Sequence, residues 1–217
     1  MTYTFQMIGE PNLNQFFNVK DKIYSELVHR LLLYGKKYIP YYFARGMAEF
    51  IFKNYYDNEL VGIEIGTGVG NNAMTMLSIL PIKKLYCIDP YTKYVEDKFG
   101  QKQQKNVEKC LEKARKNLAK YSERVSIIEE YSDKAVDRFE DNSLDFVYID
   151  GNHSYDFVKK DIKLYYPKVK PEGVLGGHDF GSGYVGVVYA VLDFVRNNNL
   201  NLVTGRDSDW WIVKNNK

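Results

Sequence analysis

The sequence predicts an α/β protein built on a doubly wound, mostly parallel, seven-stranded sheet that finishes in an antiparallel hairpin strand. Three observations predict it. Short apolar runs of strand length recur after residue 60, and stretches of helical length and period separate them. The runs carry little polar alternation, as strands buried on both faces require. A β-α-β-α series of this kind closes into a parallel sheet covered by helices.

The runs are LVGIEI (60–65), KLYCID (84–89), RVSIIE (124–129), LDFVYID (144–150), GVLGGHD (173–179) and DWWIVK (209–214). Residues 72–80, 103–120, 155–166 and 184–197 between them have helical length and periodicity. In the second of these, Val107, Leu111, Ala114 and Leu118 share one face, with Lys105, Lys109, Lys113 and Lys116 elsewhere around it. Residues 201–204 and 209–214 flank GRDS, whose Gly, Asp and Ser favour a turn, hence the closing hairpin. The front of the chain differs. Residues 21–37 and 40–56 read as two helices with no strand between, and Pro40 suits the first turn of the second. The expected organisation is a helical extension over 1–59 and a sheet domain over 60–217, the extension serving as a covering layer, a lid or an oligomerisation arm.

Composition narrows the function. Of 217 residues, 45% are hydrophobic and 27% charged, near the globular average, which excludes a disordered or fibrous chain. Thirty basic against 28 acidic side chains leave a charge of +2, too little for sequence-independent phosphate attraction, so no nucleic-acid partner is expected. The lysines of 102–120 read as a solvated helix face, because no aromatic residues interleave with them. No apolar run approaches the roughly 20 residues of a membrane span, and the first residues lack a basic region followed by an apolar stretch. The expectation is a soluble, cytoplasmic protein without a membrane partner. Cys87 and Cys110 have no CxxC spacing and read as reduced core residues.

The decisive segment is Glu64-Ile-Gly66-Thr67-Gly68-Val-Gly70, between the first strand and the first helix of the series. Glycines there let the chain turn sharply and let a ligand lie against bare backbone near helix N-terminal amides. A nicotinamide or flavin fingerprint would need its third glycine at position 71, which is Asn; no Gly-Lys-Ser/Thr follows either, which excludes a Walker loop. The next strand ends in Asp89, placed to accept two ribose hydroxyls or to cap the turn before Pro90. After the third strand come Glu129, Glu130, Tyr131 and Ser132, an adenine contact or an ordinary helix start. Ligands of open α/β sheets bind beyond the strands' carboxyl ends. There the fourth strand is followed by Asp150-Gly-Asn-His153-Ser-Tyr-Asp and the fifth by His178-Asp179. His29, the third histidine, reads as a partly buried helix residue.

This set resembles the class I S-adenosylmethionine-dependent methyltransferases with their Rossmann-like fold. The ExGxGxG loop matches motif I, and the D-G-x-H-x-Y after strand four, the K-P-x-G turn before strand five, the G-H-D after it and the late WWIVK run resemble the methyltransferase family 24 branch. That branch is similar to the macrocin O-methyltransferase and cephalosporin-hydroxylase types. The resemblance covers about residues 45–214. It implies that Glu64, Gly66, Thr67, Gly68, Gly70, Asp89, Tyr131, Ser132 and Asp150 bind S-adenosylmethionine, and that a methyl group passes to an oxygen of a small-molecule or glycan-like acceptor.

Displacement at a sulfonium carbon needs alignment of the acceptor and removal of its proton. His153 is the candidate base, with Asp150 beside it, because imidazole titrates near neutrality; a loop-fixing hydrogen bond is the alternative role. Asp150, His178 and Asp179 could hold Mg²⁺ or another divalent cation. Related proteins carry an acidic pair where this chain has His178-Asp179, a departure that suits a softer ion or none, leaving these groups to bond cofactor or acceptor directly. A cofactor-binding module without transfer activity, acting as a partner subunit, and a different enzyme on the same fold stand as alternatives. Homo-oligomerisation stays open.

Overall fold

The computed structural model describes residues 44–55, 58–92, 107–181 and 183–216. The expected helix over 21–37, His29 and Pro40 lie outside them. In chain order the elements are α1 (Gly46–Tyr55), β1 (Leu60–Ile65), α2 (Asn71–Ile79), β2 (Ile82–Ile88), α3 (Val107–Leu118) and β3 (Val125–Ile128). They continue with α4 (Ser132–Ala135), β4 (Leu144–Ile149), α5 (Tyr155–Tyr165), β5 (Val169–Gly177), α6 (Val185–Asn198), β6 (Val203–Thr204) and β7 (Trp210–Val213). The seven strands form one sheet in the order β3-β2-β1-β4-β5-β7-β6. Pairing is parallel from β3 to β5 and antiparallel at β7 and β6, the architecture read from the sequence.

Side chains alternate across this sheet, so each strand feeds two cores. Ile63, Ile65, Val147, Ile149, Leu175 and Ile212 pack on one face against Val158 and Ile162 of α5 and Val187, Ala190 and Val191 of α6. Leu85, Cys87, Phe146, Tyr148 and Trp211 pack on the other against Met47 and Ile51 of α1 and Ala73, Met76 and Leu77 of α2. Both cysteines are free thiols, Cys87 fully buried and Cys110 partly so. The basic helix α3 turns Ala114 and Leu118 inward and leaves its charged residues outside, where Arg115 pairs with Glu129.

The register matters most for function. Ile65 pairs with both Ile88 and Ile149, Ile88 with Ile128, and Ile149 with Gly177. The residues that follow, Glu129, Asp89, Gly66, Asp150 and His178, are therefore level along one carboxyl edge. The chain winds outward in opposite directions from β1 and β4, and the crevice opens at that switch point.

One local reading changes. The K-P-x-G segment, expected as a turn ahead of the fifth strand, lies inside β5 as an irregularity: the register slips between Leu144 and Phe146, and Glu172 takes a φ of 64°. A bulge satisfies the same turn-forming residues while the flanking backbone stays paired. Ser132 opens a helical turn, α4, with Tyr131 in extended backbone before it.

A distant carboxylate anchors α1. Asp209, fully buried, accepts hydrogen bonds from the Met47 amide in the first turn of α1 at 2.9 Å and from the Tyr148 hydroxyl at 2.6 Å. A helix leaves its first amides unpartnered, and here the group that satisfies one comes from 162 positions away. Replacing Asp209 by Ala strands two buried donors, at a cost of about 2–4 kcal/mol. Thermal denaturation should show the midpoint of Asp209→Ala lowered by roughly 5–15 °C, and that of Tyr148→Phe by less. An unchanged midpoint in Asp209→Ala would contradict this anchoring.

Candidate functional site

The glycine loop is built by its backbone. Gly66, Gly68 and Gly70 have φ of 86°, 54° and 78°, a region that costs a residue with a Cβ. At Gly66 a Cβ would lie 2.1 Å from the Asp150 carbonyl oxygen, so the loop is pressed against the end of β4. At Gly68 a Cβ would meet nothing within 4 Å among the described residues. That side of the loop faces open space. Gly70 serves instead as the left-handed residue before α2.

Arg45, Glu64, Gly66, Thr67, Gly68, Asn72 and Asp150 are among the residues lining a cavity of about 220 Å³ at this loop. Glu64 lies at its base, 1% exposed. Its Oε1 accepts from Asn72 Nδ2 at 2.9 Å, while the buried Oε2 has no hydrogen-bond partner among the described residues. Burial pushes the Glu64 carboxyl up to about 8, against the opposing pull of the Asn72 bond.

Asp89 fulfils its turn reading: Oδ1 accepts from the Tyr91 amide at 2.8 Å and Oδ2 from the Gly68 amide at 2.9 Å. It thereby holds the second glycine of the loop in place. Each oxygen keeps a lone pair for a further donor. Tyr131 stands half-exposed, its hydroxyl 2.9 Å from that of Thr92. Ser132 is not among the residues lining the cavity, and its hydroxyl donates to the buried Asp161.

Beside the cavity the ends of β4 and β5 bring four side chains together. His153 Nε2 lies 2.8 Å from Asp179 Oδ2, and His178 Nδ1 lies 3.0 Å from Asp179 Oδ1. Asp150 Oδ1 is 3.9 Å from His153 and 3.8 Å from His178. Asp179 takes a φ of 62°, a strained conformation that sets its carboxylate between the two rings. Burial alone would raise the pKa of Asp179, but bonds from both histidines hold it well below the usual carboxylate range. His178 moves the other way. Burial would lower it, and Asp179 and Asp150 raise it above its ordinary value. The His153 ring packs on Tyr184, with centroids 4.3 Å apart. One ligand atom each from Asp150, His153 and Asp179 lie within 4.8 Å of one another, a spacing that admits a cation.

Three site residues carried no sequence signal. Arg45 enters from the chain before α1 and sets Nη1 2.6 Å from Asp150 Oδ2 and 3.0 Å from the Tyr148 hydroxyl. Tyr148 in turn donates to Asp209. Nothing in the local spacing of Arg45, Tyr148 or Asp209 could have marked them, because each acts through a partner at least 61 positions away.

Residues 63–180, more than half of the chain, match the family model of methyltransferase family 24, described as a methyltransferase domain. No curated protein sequence matches. Among solved structures, a protein of Corynebacterium glutamicum aligns with a TM-score of 0.57 at 13% identity, over 92% of this chain and 99% of that one. The O-methyltransferase NovP aligns at 0.57 and 14%, over 78% and 76%. A structure described as a putative caffeoyl-CoA O-methyltransferase from Staphylococcus aureus aligns at 0.56 and 19%, over 91% and 100%. At these identities the structural likeness is one of fold. Among the described residues no helix is long and apolar enough to cross a membrane.

The buried acid gives a pH test. In the folded protein without ligand Glu64 stays protonated up to about 8, whereas in the unfolded chain it ionises from its ordinary value of 4.5 upward. The folded state then binds the extra proton, and stability falls as pH rises across that window. Glu64→Gln cannot ionise. Between about pH 6 and pH 8 the melting temperature of the wild-type protein should fall by several degrees more than that of the variant. Parallel curves would show that Glu64 does not titrate in this range.

Proposed function

The chain belongs to the methyltransferase-domain family and is an S-adenosylmethionine-dependent methyltransferase, and from that premise we propose that it methylates an oxygen of a small-molecule or glycan-like acceptor, with His153 taking the acceptor's proton. The observation that carries the reading is the adjacency of two half-sites on one sheet edge. The cavity of the glycine loop and the Asp150, His153, His178 and Asp179 cluster share Asp150 as a common wall.

The cavity suits this cofactor on its own chemistry. Glu64 Oε2 is a buried, unpartnered acceptor, and the open side of Gly68 leaves room for a group to lie on the backbone. Glu64, Gly66, Thr67, Gly68 and Asp150 would hold the amino-acid part, Asp89 the ribose hydroxyls and Tyr131 the adenine, with Gly70 and Ser132 shaping the loops around them. When bound, the cofactor supplies an electrophilic methyl group on a sulfonium sulfur. The protein's own part is to orient an acceptor hydroxyl and receive its proton. Asp179 fixes the His153 ring and stabilises the imidazolium that forms, the role a carboxylate plays toward any catalytic histidine.

A cation-assisted variant is favoured by one observation, the 4.8 Å cluster of Asp150, His153 and Asp179. An imidazole among the ligands suits a borderline ion better than Mg²⁺. The two readings use His153 in exclusive ways, as a ligand or as a base.

Transfer of labelled methyl groups to a panel of phenols, sugar hydroxyls and amines tests the acceptor class: hydroxyl compounds should be methylated and amines should not. On the accepted substrate, His153→Ala should lower kcat by about 10²- to 10⁴-fold while leaving S-adenosylhomocysteine affinity, measured by calorimetry, within about twofold. Preincubation with EDTA should leave turnover unchanged. Loss of activity in EDTA, restored by a transition-metal ion, would replace the base reading with the cation-assisted one.

A further inference from the structure

Among the described residues, Arg45 is the one cation lining the cavity, and it has no evident purpose in proton transfer. Arg45 lies in the same unit of the chain as the sheet, lines the cavity, and has its side chain 21% exposed. Nη1 carries both of its recorded bonds, to Asp150 and to Tyr148. Among the described residues Nη2 and Nε make none, so part of the guanidinium fork remains available to an acceptor. Those two bonds, and the guanidinium's position 5.6 Å over the Tyr148 ring, hold the head group where it is. Tyr148 is held in its turn by Asp209. A guanidinium prepared this way binds a planar anion at little ordering cost.

Glu64, buried and with one oxygen unpartnered among the described residues, lines the same cavity, as does Asp150. The lining therefore presents a guanidinium together with a buried, incompletely partnered carboxyl. That pattern complements a zwitterion: an α-carboxylate against the arginine and an α-ammonium against the acids. Building on the cofactor reading above, we infer that Arg45 is the carboxylate clamp of the cofactor's amino-acid end, and that it makes the protein select an α-amino-acid sulfonium over a decarboxylated one.

The Arg45–Asp150 pair is not by itself an explanation for the residue. Desolvating a guanidinium to satisfy one carboxylate is close to neutral in energy, and a purely structural arginine would be expected to spend its remaining donors on the protein. Here those donors are left over at a cavity wall.

Calorimetry with three probes separates the possibilities. They are S-adenosylhomocysteine, its decarboxylated analogue, and 5′-methylthioadenosine, which lacks the amino-acid end altogether. Wild-type protein should bind S-adenosylhomocysteine about 10- to 100-fold tighter than the decarboxylated analogue. Arg45→Ala should lose that advantage while binding 5′-methylthioadenosine as the wild type does, and Arg45→Lys should recover part of it. Equal affinity of the wild type for S-adenosylhomocysteine and its decarboxylated analogue would overturn the inference without needing any variant. An Arg45→Ala protein that weakens all three probes alike would overturn it in favour of a role confined to holding Asp150. Failure of the wild-type protein to bind S-adenosylhomocysteine at all would overturn the cofactor reading on which the inference rests.

Discussion

Parallel pairing in register across β2, β1, β4 and β5 is the constraint on which the rest of this structure depends. Because Ile88, Ile65, Ile149 and Gly177 lie level, the residues that follow them emerge along a single edge. Shifting any one of these strands by a residue would also send its buried side chains to the opposite core. The packing that holds Ile149 in one layer and Tyr148 in the other is thus the same packing that delivers Asp150 to the cavity. Glycines make the close approach feasible. Gly66 touches the Asp150 carbonyl and Gly177 the Ile149 carbonyl, contacts in which a Cβ would fall about 2.1 Å from oxygen.

On that edge the charges are arranged in two groups with opposite logic. Around Asp179 two histidines surround one carboxylate, which favours its ionised form and favours protonation of His178. Around Glu64 burial dominates and favours the neutral acid. One group is internally compensated and rigid, whereas the other is left incomplete beside an open cavity. The proposed function asks for both conditions, a side chain held still and a site that receives a charged cofactor. The chain Asp209, Tyr148, Arg45, Asp150 joins the fold's anchoring to this site, since the carboxylate that caps α1 also positions, at two removes, the arginine on the cavity wall.

Much of the fold was legible because its signals are local. Strand runs, helical periods and the hairpin turn at 205–208 each depend on neighbours within a few positions, and the six apolar runs and the 201–204 arm each coincide with a strand, although β5 begins at Val169, ahead of its run. Errors fell where local chemistry admits two conformations: Pro171 and Gly173 serve a bulge in β5 as well as they would a turn. In the site, the spacing of Gly66, Gly68 and Gly70 after Glu64 was readable, since the loop's geometry is imposed by backbone freedom. The edge positions of Asp89, Asp150, His153, His178 and Asp179 followed from strand ends alone.

The sequence by itself thus determined the sheet, the glycine loop and the inventory of acids and imidazoles at the sheet edge, because each is specified by a short-range pattern of apolar period or glycine spacing. Only the tertiary structure decided how those groups are coupled: His153 with Asp179, Arg45 with Asp150 across 105 positions, and Asp209 with the amide of Met47 across 162. Such pairings are set by register and by the docking of α1 on the sheet. No sequence window contains both partners, so their geometry exists only once the cores on both faces have closed.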